Sequence, residues 1–432
     1  MQITKRTRRK ALLASVIGSS IEYYDYLLYG TVAALVFNEL FFPTFDPFMG
    51  TLIALASFGI PYFFRPLGGI VFSHIGDKIG RKKSLILTLV LMGGSTALIG
   101  LLPDYNTIGI WAPVLLVTLR LIQGFAVGGE WGGAVLLAVE YSDDSNKGFG
   151  GSIPMMGCSI GLLLGTLSIS LMSLLPHSDF ITWGWRVPFV LSIVLVLLGL
   201  WIRTGLEETP EFEEAKKQGN VVKLPIVETF IHQRKEVLLA TGAKAVESAP
   251  FYIFSTFIIT YATKNLGMNQ TSVLTAITVG TFASTFLIPL FGSLSDRIGR
   301  KPVFIIGAAG MILFAFPYFY MVQLKSVLWL TIATFIGYTL WSMITAVLGT
   351  LFSELFNANI RYTGISIGYQ LGAAIFGGTA PLISIALVNE FNSWTPVAIY
   401  VIFIASLALV CIYLIKNNNQ VESESYQEKK VI

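Results

Sequence analysis

The sequence predicts an all-α membrane protein of twelve transmembrane helices in two pseudo-symmetric six-helix bundles. Three observations carry this. Over 432 residues, 54 % are hydrophobic and only 12 % are charged. The apolar residues fall in long continuous runs. One polar turn sequence occurs twice, at the same place in each half of the chain.

A water-facing domain carries about 25 % charged residues, because its surface must be solvated. A chain with 12 % charge and a mean hydropathy of +0.70 must present most of its surface to lipid. A span needs about 20 apolar residues to cross about 30 Å of hydrocarbon. Runs of that kind lie at 11–37, 50–74, 84–102, 112–138, 150–175 and 185–203. After a polar stretch come 237–263, 271–295, 302–321, 327–352, 364–388 and 395–415. The runs are continuous rather than alternating, which is the pattern of helices and not of barrel strands. The first run is too long for a signal-peptide core and lacks a small-residue cleavage site, so it reads as a span.

The net charge of +4 conceals an asymmetry. Lys and Arg crowd the N-terminus and the turns at Lys78–Lys83 and Arg297–Lys301. The alternate short loops offer little beyond Lys264 and Lys325. The positive-inside rule makes the basic side cytoplasmic, and an even span count places both termini there. The bases sit in short gaps between apolar runs, so they read as topology rather than as a nucleic-acid surface. The expected organisation is an N-terminal bundle over 1–203, a cytoplasmic linker over 204–236, a C-terminal bundle over 237–415 and a cytoplasmic tail over 416–432. The linker's glutamates suggest a short surface helix. Cys158 and Cys411 fall within apolar runs and read as buried small hydrophobes; no metal-ligand cluster is evident.

The repeated turn reads Asp77-Lys78-Ile79-Gly80-Arg81-Lys82 after the second span and Asp296-Arg297-Ile298-Gly299-Arg300-Lys301 after the eighth. Gly80 and Gly299 permit a sharp reversal. Asp77 and Asp296 are placed to accept hydrogen bonds from a helix N-terminus or a basic partner. Repeated halves facing a midplane site are the architecture of secondary transporters. Asp77, Gly80, Arg81, Asp296, Gly299 and Arg300 therefore become gating candidates. Arg65, which follows an aromatic run and precedes Pro66, joins them.

Ionisable residues inside spans are costly and mark pathways, relays or paired contacts. Glu22 and Asp25 lie three apart in the first span, with Tyr26 and Tyr29 on nearby faces. Arg120 and Glu130 lie in the fourth span, ten residues apart and so unable to pair directly. Glu22, Asp25 and Glu130 are the proton-coupling candidates, although the glycines around Glu130 also suit a packed structural pair. Arg120, with Gln123 nearby, suits a carboxylate receptor or a counter-ion for Asp25. Lys244 and Glu247, three apart in the seventh span, suit either an intrahelical pair or a cavity-facing site. Tyr26, Tyr29, Arg120, Gln123, Lys244, Glu247, Tyr369 and Gln370 form the expected substrate-binding set. Arg186 reads as an interface anchor. Gly157, Gly161 and Gly165 read as a helix-packing stripe.

Several strings resemble the major facilitator superfamily, and in particular its metabolite:proton symporter branch. The two gating turns carry the superfamily resemblance. Glu22-Tyr23-Tyr24-Asp25, Arg65-Pro66-Leu67-Gly68-Gly69, Gly128-Gly129-Glu130-Trp131-Gly132-Gly133, Trp183-Gly184-Trp185-Arg186-Val187-Pro188-Phe189, and Glu354-Leu355-Phe356 with Arg361-Tyr362-Thr363-Gly364 carry the branch. The resemblance spans about 11–415 and implies the major facilitator fold in a cell inner membrane. It implies import of an organic acid such as shikimate, citrate or 2-oxoglutarate, or of a zwitterion such as proline or betaine, with the proton as coupling ion and no other cofactor. The expected partners are a small carboxylate substrate and membrane lipid, with no nucleic acid, and the chain is expected to be a monomer. A drug:proton exporter is the rival within transporters. A membrane enzyme would need a clustered nucleophile or metal set, which the sequence lacks, and the paired turns argue against an open channel.

Overall fold

A computed structural model of the chain describes residues 5–44, 47–172, 174–208, 212–213, 225–357 and 360–415. The expected tail at 416–432 and part of the expected linker, 209–211 and 214–224, lie outside the described residues. The long helices are α1 (Lys5–Val32), α2 (Pro47–Ile79), α3 (Arg81–Leu101), α4 (Trp111–Glu140), α5 (Lys147–Met172) and α6 (Arg186–Thr204). They continue with α7 (Arg234–Tyr252), α8 (Gln270–Ile298), α9 (Arg300–Gln323), α10 (Val327–Leu355), α11 (Arg361–Phe391) and α12 (Thr395–Leu414). A π-helical turn over Ala373–Gly377 interrupts α11, and another over Ile253–Phe257 follows α7. Pro250, inside α7, removes one ladder hydrogen bond just before that wider turn.

Among the described residues, nine helices are long and apolar enough to cross a membrane: α3 to α6 and α8 to α12. The protein is thus an all-α, multi-span membrane fold. α1 and α7 carry charges within their runs: Glu22 and Asp25 in α1, Lys244 and Glu247 in α7.

The chain divides into two compact units, one of residues 1–141 and 153–219, the other of 142–152 and 220–432. In the first unit α4 packs on α1, α2 and α3, and α6 packs on α1 and α3. In the second unit α10 packs on α7, α8 and α9, and α12 packs on α7 and α9. Each of these pairings recurs in the other unit six helices later, as the repeated turns lead one to expect. On α6, Leu191, Val194, Leu197 and Trp201 are exposed along one face while Ser192 and Arg203 are buried on another. This inversion of the water-soluble pattern suits a lipid solvent, which does not penalise exposed apolar side chains but does penalise charges. The α5 glycines pack as their spacing suggests. A Cβ on Gly157 would lie 2.5 Å from the Val16 carbonyl oxygen, and one on Gly165 would lie 3.0 Å from Leu27. Cys158 and Cys411 are buried free thiols.

Candidate functional site

Buried ion pairs tie helices together within the first unit. Asp25 of α1 meets Arg120 of α4 at 3.1 Å. Gln123, one turn further along α4, accepts from the same guanidinium at 2.7 Å and donates to Asp25 Oδ1 at 2.8 Å. Thr96 of α3 donates to Asp25 at 2.9 Å and accepts from Gln123 at 2.8 Å. The Arg120 guanidinium lies 3.8 Å above the Tyr29 ring, and the Tyr29 hydroxyl is 2.6 Å from that of Ser57. Asp25, Arg120 and Gln123 are each at most 4 % exposed. The Asp25 carboxylate is thus enclosed by a guanidinium and two neutral donors.

Glu22 does not share Asp25's partner. It faces Arg65 of α2 at 3.5 Å, and that guanidinium lies 4.5 Å from the Tyr62 ring centre. The two neighbouring carboxylates on α1 are thus served by separate arginines. Tyr26 contacts Tyr62 edge-to-face at 6.0 Å, so it belongs to the Arg65 side of the site.

Glu130 is fully buried and pairs with Arg203 of α6 in a two-pronged contact whose Nη1–Oε2 leg is 3.0 Å. Thr88 of α3 adds a hydrogen bond at 2.7 Å, and Arg203 also donates to the Leu85 carbonyl. This arrangement joins α3, α4 and α6 and is the packed pair that the glycine-rich surroundings of Glu130 suit. Arg203 was not among the candidates because it stands at the last turn of its span, where a base ordinarily reads as topology. Thr96 and Thr88 were missed for a different reason, since a threonine in a span carries no sequence signal.

In the second unit, Lys244 and Glu247 pair within α7. The Lys244 ammonium lies 3.6 Å from the centre of the Tyr369 ring on α11. Ser248 donates to Glu247 at 3.3 Å, and the Trp341 indole of α10 donates to the Glu247 backbone carbonyl at 2.8 Å. Gln370 is buried beside Tyr369 on α11.

The repeated turns adopt the same backbone. Gly80 has φ 116° and Gly299 φ 96°, a region that a side chain rarely tolerates. Asp296 accepts from Gly148 N at 2.7 Å and Phe149 N at 2.9 Å, capping the first turn of α5, and pairs with Arg300 at 3.1 Å. Arg300 in turn reaches Glu354 at 3.2 Å. In the first unit Arg81 pairs with Glu140 at 3.0 Å. The α3 N-terminus is capped by Glu208, which accepts from Arg81 N at 2.9 Å and Lys82 N at 3.1 Å, while Asp77 is buried at the end of α2. Glu208 lies in the stretch read as a surface linker, and here it is part of the turn. The Tyr141 hydroxyl donates to the Glu207 and Glu208 carbonyls at 3.0 and 3.1 Å. Burial, then the charges of Glu208, Glu207 and Glu140, push its phenol up to about 12, so it remains a neutral donor. Arg186 donates to the Gly100 and Leu102 carbonyls and lies 4.5 Å from the Trp185 ring, the aromatic setting expected of an anchor.

The sequence matches the Major Facilitator Superfamily model over residues 16–377 and again over 241–431. It is 42 % identical over 417 residues to the shikimate transporter of Escherichia coli K12, covering 95 % of each chain. It is 36 % identical over 414 residues to the inner membrane metabolite transport protein YhjE of the same organism, covering 94 % of each. To the proline/betaine transporter of that organism it is 32 % identical over 412 residues, covering 93 % of this chain and 82 % of the relative. The fold resembles that of the proton:xylose symporter XylE, with a TM-score of 0.74 at 14 % identity over 95 % of this chain and 96 % of the other. The chain belongs to the major facilitator superfamily and to its metabolite:proton symporter branch.

Proposed function

We propose that this protein imports a small organic acid together with protons, by alternating access between two six-helix halves. The carrying observation is the Asp25–Arg120–Gln123–Thr96 cluster: one enclosed carboxylate joined to a guanidinium and two neutral donors. Asp25 carries the coupling proton. With Asp25 charged, Arg120 is neutralised in place; with Asp25 protonated, Arg120 is available to the substrate's carboxylate. Tyr29, under the guanidinium, and Gln123 orient Arg120. Tyr26 borders the same site beside Glu22 and Arg65, which form a second coupling and gating pair. Glu130, expected as a coupling carboxylate, fits better as a fixed tie to Arg203, because its partners bind both its oxygens within the packed interior.

The twelve spans comprise the nine apolar helices and three more: α1 with the π turn to Phe37, α2, and α7 with the turns to Asn265. The halves are 1–203 and 237–415, joined by a cytoplasmic linker at 204–236, with a cytoplasmic tail at 416–432. Both termini are cytoplasmic, from the distribution of Lys and Arg. The turns holding Asp77, Gly80, Arg81, Asp296, Gly299 and Arg300 are the gates on that side. The capping of α5 by Asp296 supports this, because a charge-assisted cap can be broken and remade as helices tilt.

A shikimate-like monocarboxylate is the favoured substrate, in keeping with the 42 % identity to a shikimate transporter. The second reading, a zwitterion such as proline or betaine, draws on relatives at 32 to 34 % identity that carry those names. Thermal-shift binding of shikimate, citrate, 2-oxoglutarate, proline and betaine to the purified protein separates the two, followed by uptake into proteoliposomes. Accumulation of a carboxylate that collapses with a protonophore supports the proposal. Uptake indifferent to pH and protonophore overturns it.

A further inference from the structure

The repeat leads one to expect α7 to begin as α1 does. α1 runs from Lys5 into its span without a break. The second half differs. A separate short helix, Pro225–His232, precedes α7, and Gln233 between them has φ −128° and ψ 29°, outside the helical region. The pairing of α7 with its neighbours does not require this element, since α1 makes the matching contacts with no such helix from Lys5 onward.

The short helix is held at the membrane surface. Residues 233–236 alone separate it from the span expected at 237–263, and fully extended they reach about 14 Å. The bend at Gln233 turns its axis, about 12 Å long, away from that of α7. Its three faces differ. Val227, Phe230 and Ile231 share an arc of about 100° and are 46 %, 45 % and 61 % exposed. Thr229 and Gln233 are buried on another side, where the helix packs on α11 and α7. There Asn357 N donates to the Gln233 side-chain carbonyl at 3.3 Å, which ties this end of the helix to the turn between α10 and α11. Glu228 and His232, one turn apart and 3.5 Å from each other, form the third, polar face.

Three large apolar side chains grouped on one exposed face are a cost in water and a gain in lipid. The bases beside them say which lipid. Arg234 and Lys235 are exposed in the first turn of α7, Glu236 next to them is half-buried, and Lys223 precedes the helix in the sequence. An apolar face with adjoining bases suits an anionic leaflet, with the apolar groups among the acyl chains and the bases at the phosphates. Three apolar side chains would not hold a free peptide on a bilayer, but α7 already delivers these to it.

We propose that the helix Pro225–His232 is an interfacial anchor, seated in the cytoplasmic leaflet by Val227, Phe230 and Ile231 and held on anionic phospholipid headgroups by Arg234 and Lys235. Through Gln233 and Asn357 the anchor positions the α10–α11 turn, three residues beyond Glu354, the partner of Arg300. Lipid charge thereby bears on the gating side of the second half. The proposal rests on the cytoplasmic placement of the linker given above.

The test is spin-label accessibility in the full-length protein, reconstituted in nanodiscs of phosphatidylcholine with or without phosphatidylglycerol. Labels are attached at Ile231→Cys, Val227→Cys and Glu228→Cys, with the buried Cys158 and Cys411 replaced by alanine. Two positions on the apolar face make the reading independent of any one substitution. With phosphatidylglycerol, both labels on that face are expected to collide with oxygen and not with a water-soluble nickel chelate, while the label at Glu228→Cys meets the chelate. Access of the chelate to the apolar face overturns the proposal. So does shielding from both reagents, which would put another segment of this chain or a second copy there. Arg234→Gln with Lys235→Gln is expected to lower the ratio of lipid-seated to water-exposed label about thirtyfold, at about fivefold per base. A ratio unchanged in that double variant, or equal with and without phosphatidylglycerol, overturns the role of the bases and the proposal with it. A membrane-impermeant thiol reagent tests the topology separately. Glu228→Cys is expected to react only after right-side-out vesicles are opened; reaction in intact vesicles overturns the cytoplasmic reading as well.

Discussion

Replacing Arg203 by Met tests the tie between α4 and α6. The substitution keeps the side chain long and apolar but strands the Glu130 carboxylate, which is fully buried and would retain only the Thr88 hydroxyl. Breaking one side of a buried pair in this way costs about 3–5 kcal/mol. For a unit of about 200 residues, each kcal/mol moves the melting temperature by about 2–4 °C, so the expected fall is about 6–20 °C. The double variant Glu130→Leu with Arg203→Met removes both charges and should recover most of the loss, because a well-packed apolar pair of similar volume is close to neutral. The assay is thermal unfolding of purified protein in a single detergent, followed by tryptophan fluorescence. Arg203→Met melting within about 2 °C of wild type would refute the reasoning, since no uncompensated charge could then be buried at Glu130. A double variant as unstable as the single one would refute it equally.

Other consequences follow from the same geometry. Arg120→Gln should abolish carboxylate binding in the thermal-shift assay while Asp25 keeps its Gln123 and Thr96 contacts; unchanged affinity would remove Arg120 from the site. Gly80→Ala and Gly299→Ala force a side chain into a backbone region reserved for glycine and should each cost about 1–3 kcal/mol, read as a lowered melting temperature. Glu208→Gln weakens a charged cap on α3 and should cost about 0.5–2 kcal/mol, whereas the same change at the exposed Glu213 should be silent.

The membrane class and the helical runs were legible because lipid selects composition directly: a charge-poor chain with continuous apolar runs has no other stable solution. The repeat was legible because Gly80 and Gly299 are forced by a positive φ, so the turn leaves a fixed imprint. The ion pairs were half legible. Asp25 with Arg120 appears in the sequence as two charges in two spans, and one pairing suffices to satisfy them. Glu130 remained ambiguous because its partner, Arg203, lies where a cytoplasmic anchor is also expected, and sequence alone cannot distinguish a base that snorkels from one that turns inward. The gating turn was misjudged at its far side: Glu208, 126 residues beyond Lys82, supplies the cap, and no local pattern announces a contact of that separation. Hydroxyl partners such as Thr88 and Thr96 were invisible, because threonine in a helix ordinarily satisfies itself on its own backbone.

Proton movement driven by substrate tests the central claim most directly. Proteoliposomes loaded with a pH-sensitive dye and given no imposed gradient should acidify inside when an imported acid such as shikimate is added outside, in step with label uptake. Asp25→Asn should exchange labelled for unlabelled substrate yet move no proton through that site. Uptake of label without any change in internal pH, or Asp25→Asn acidifying as wild type does, would contradict the account.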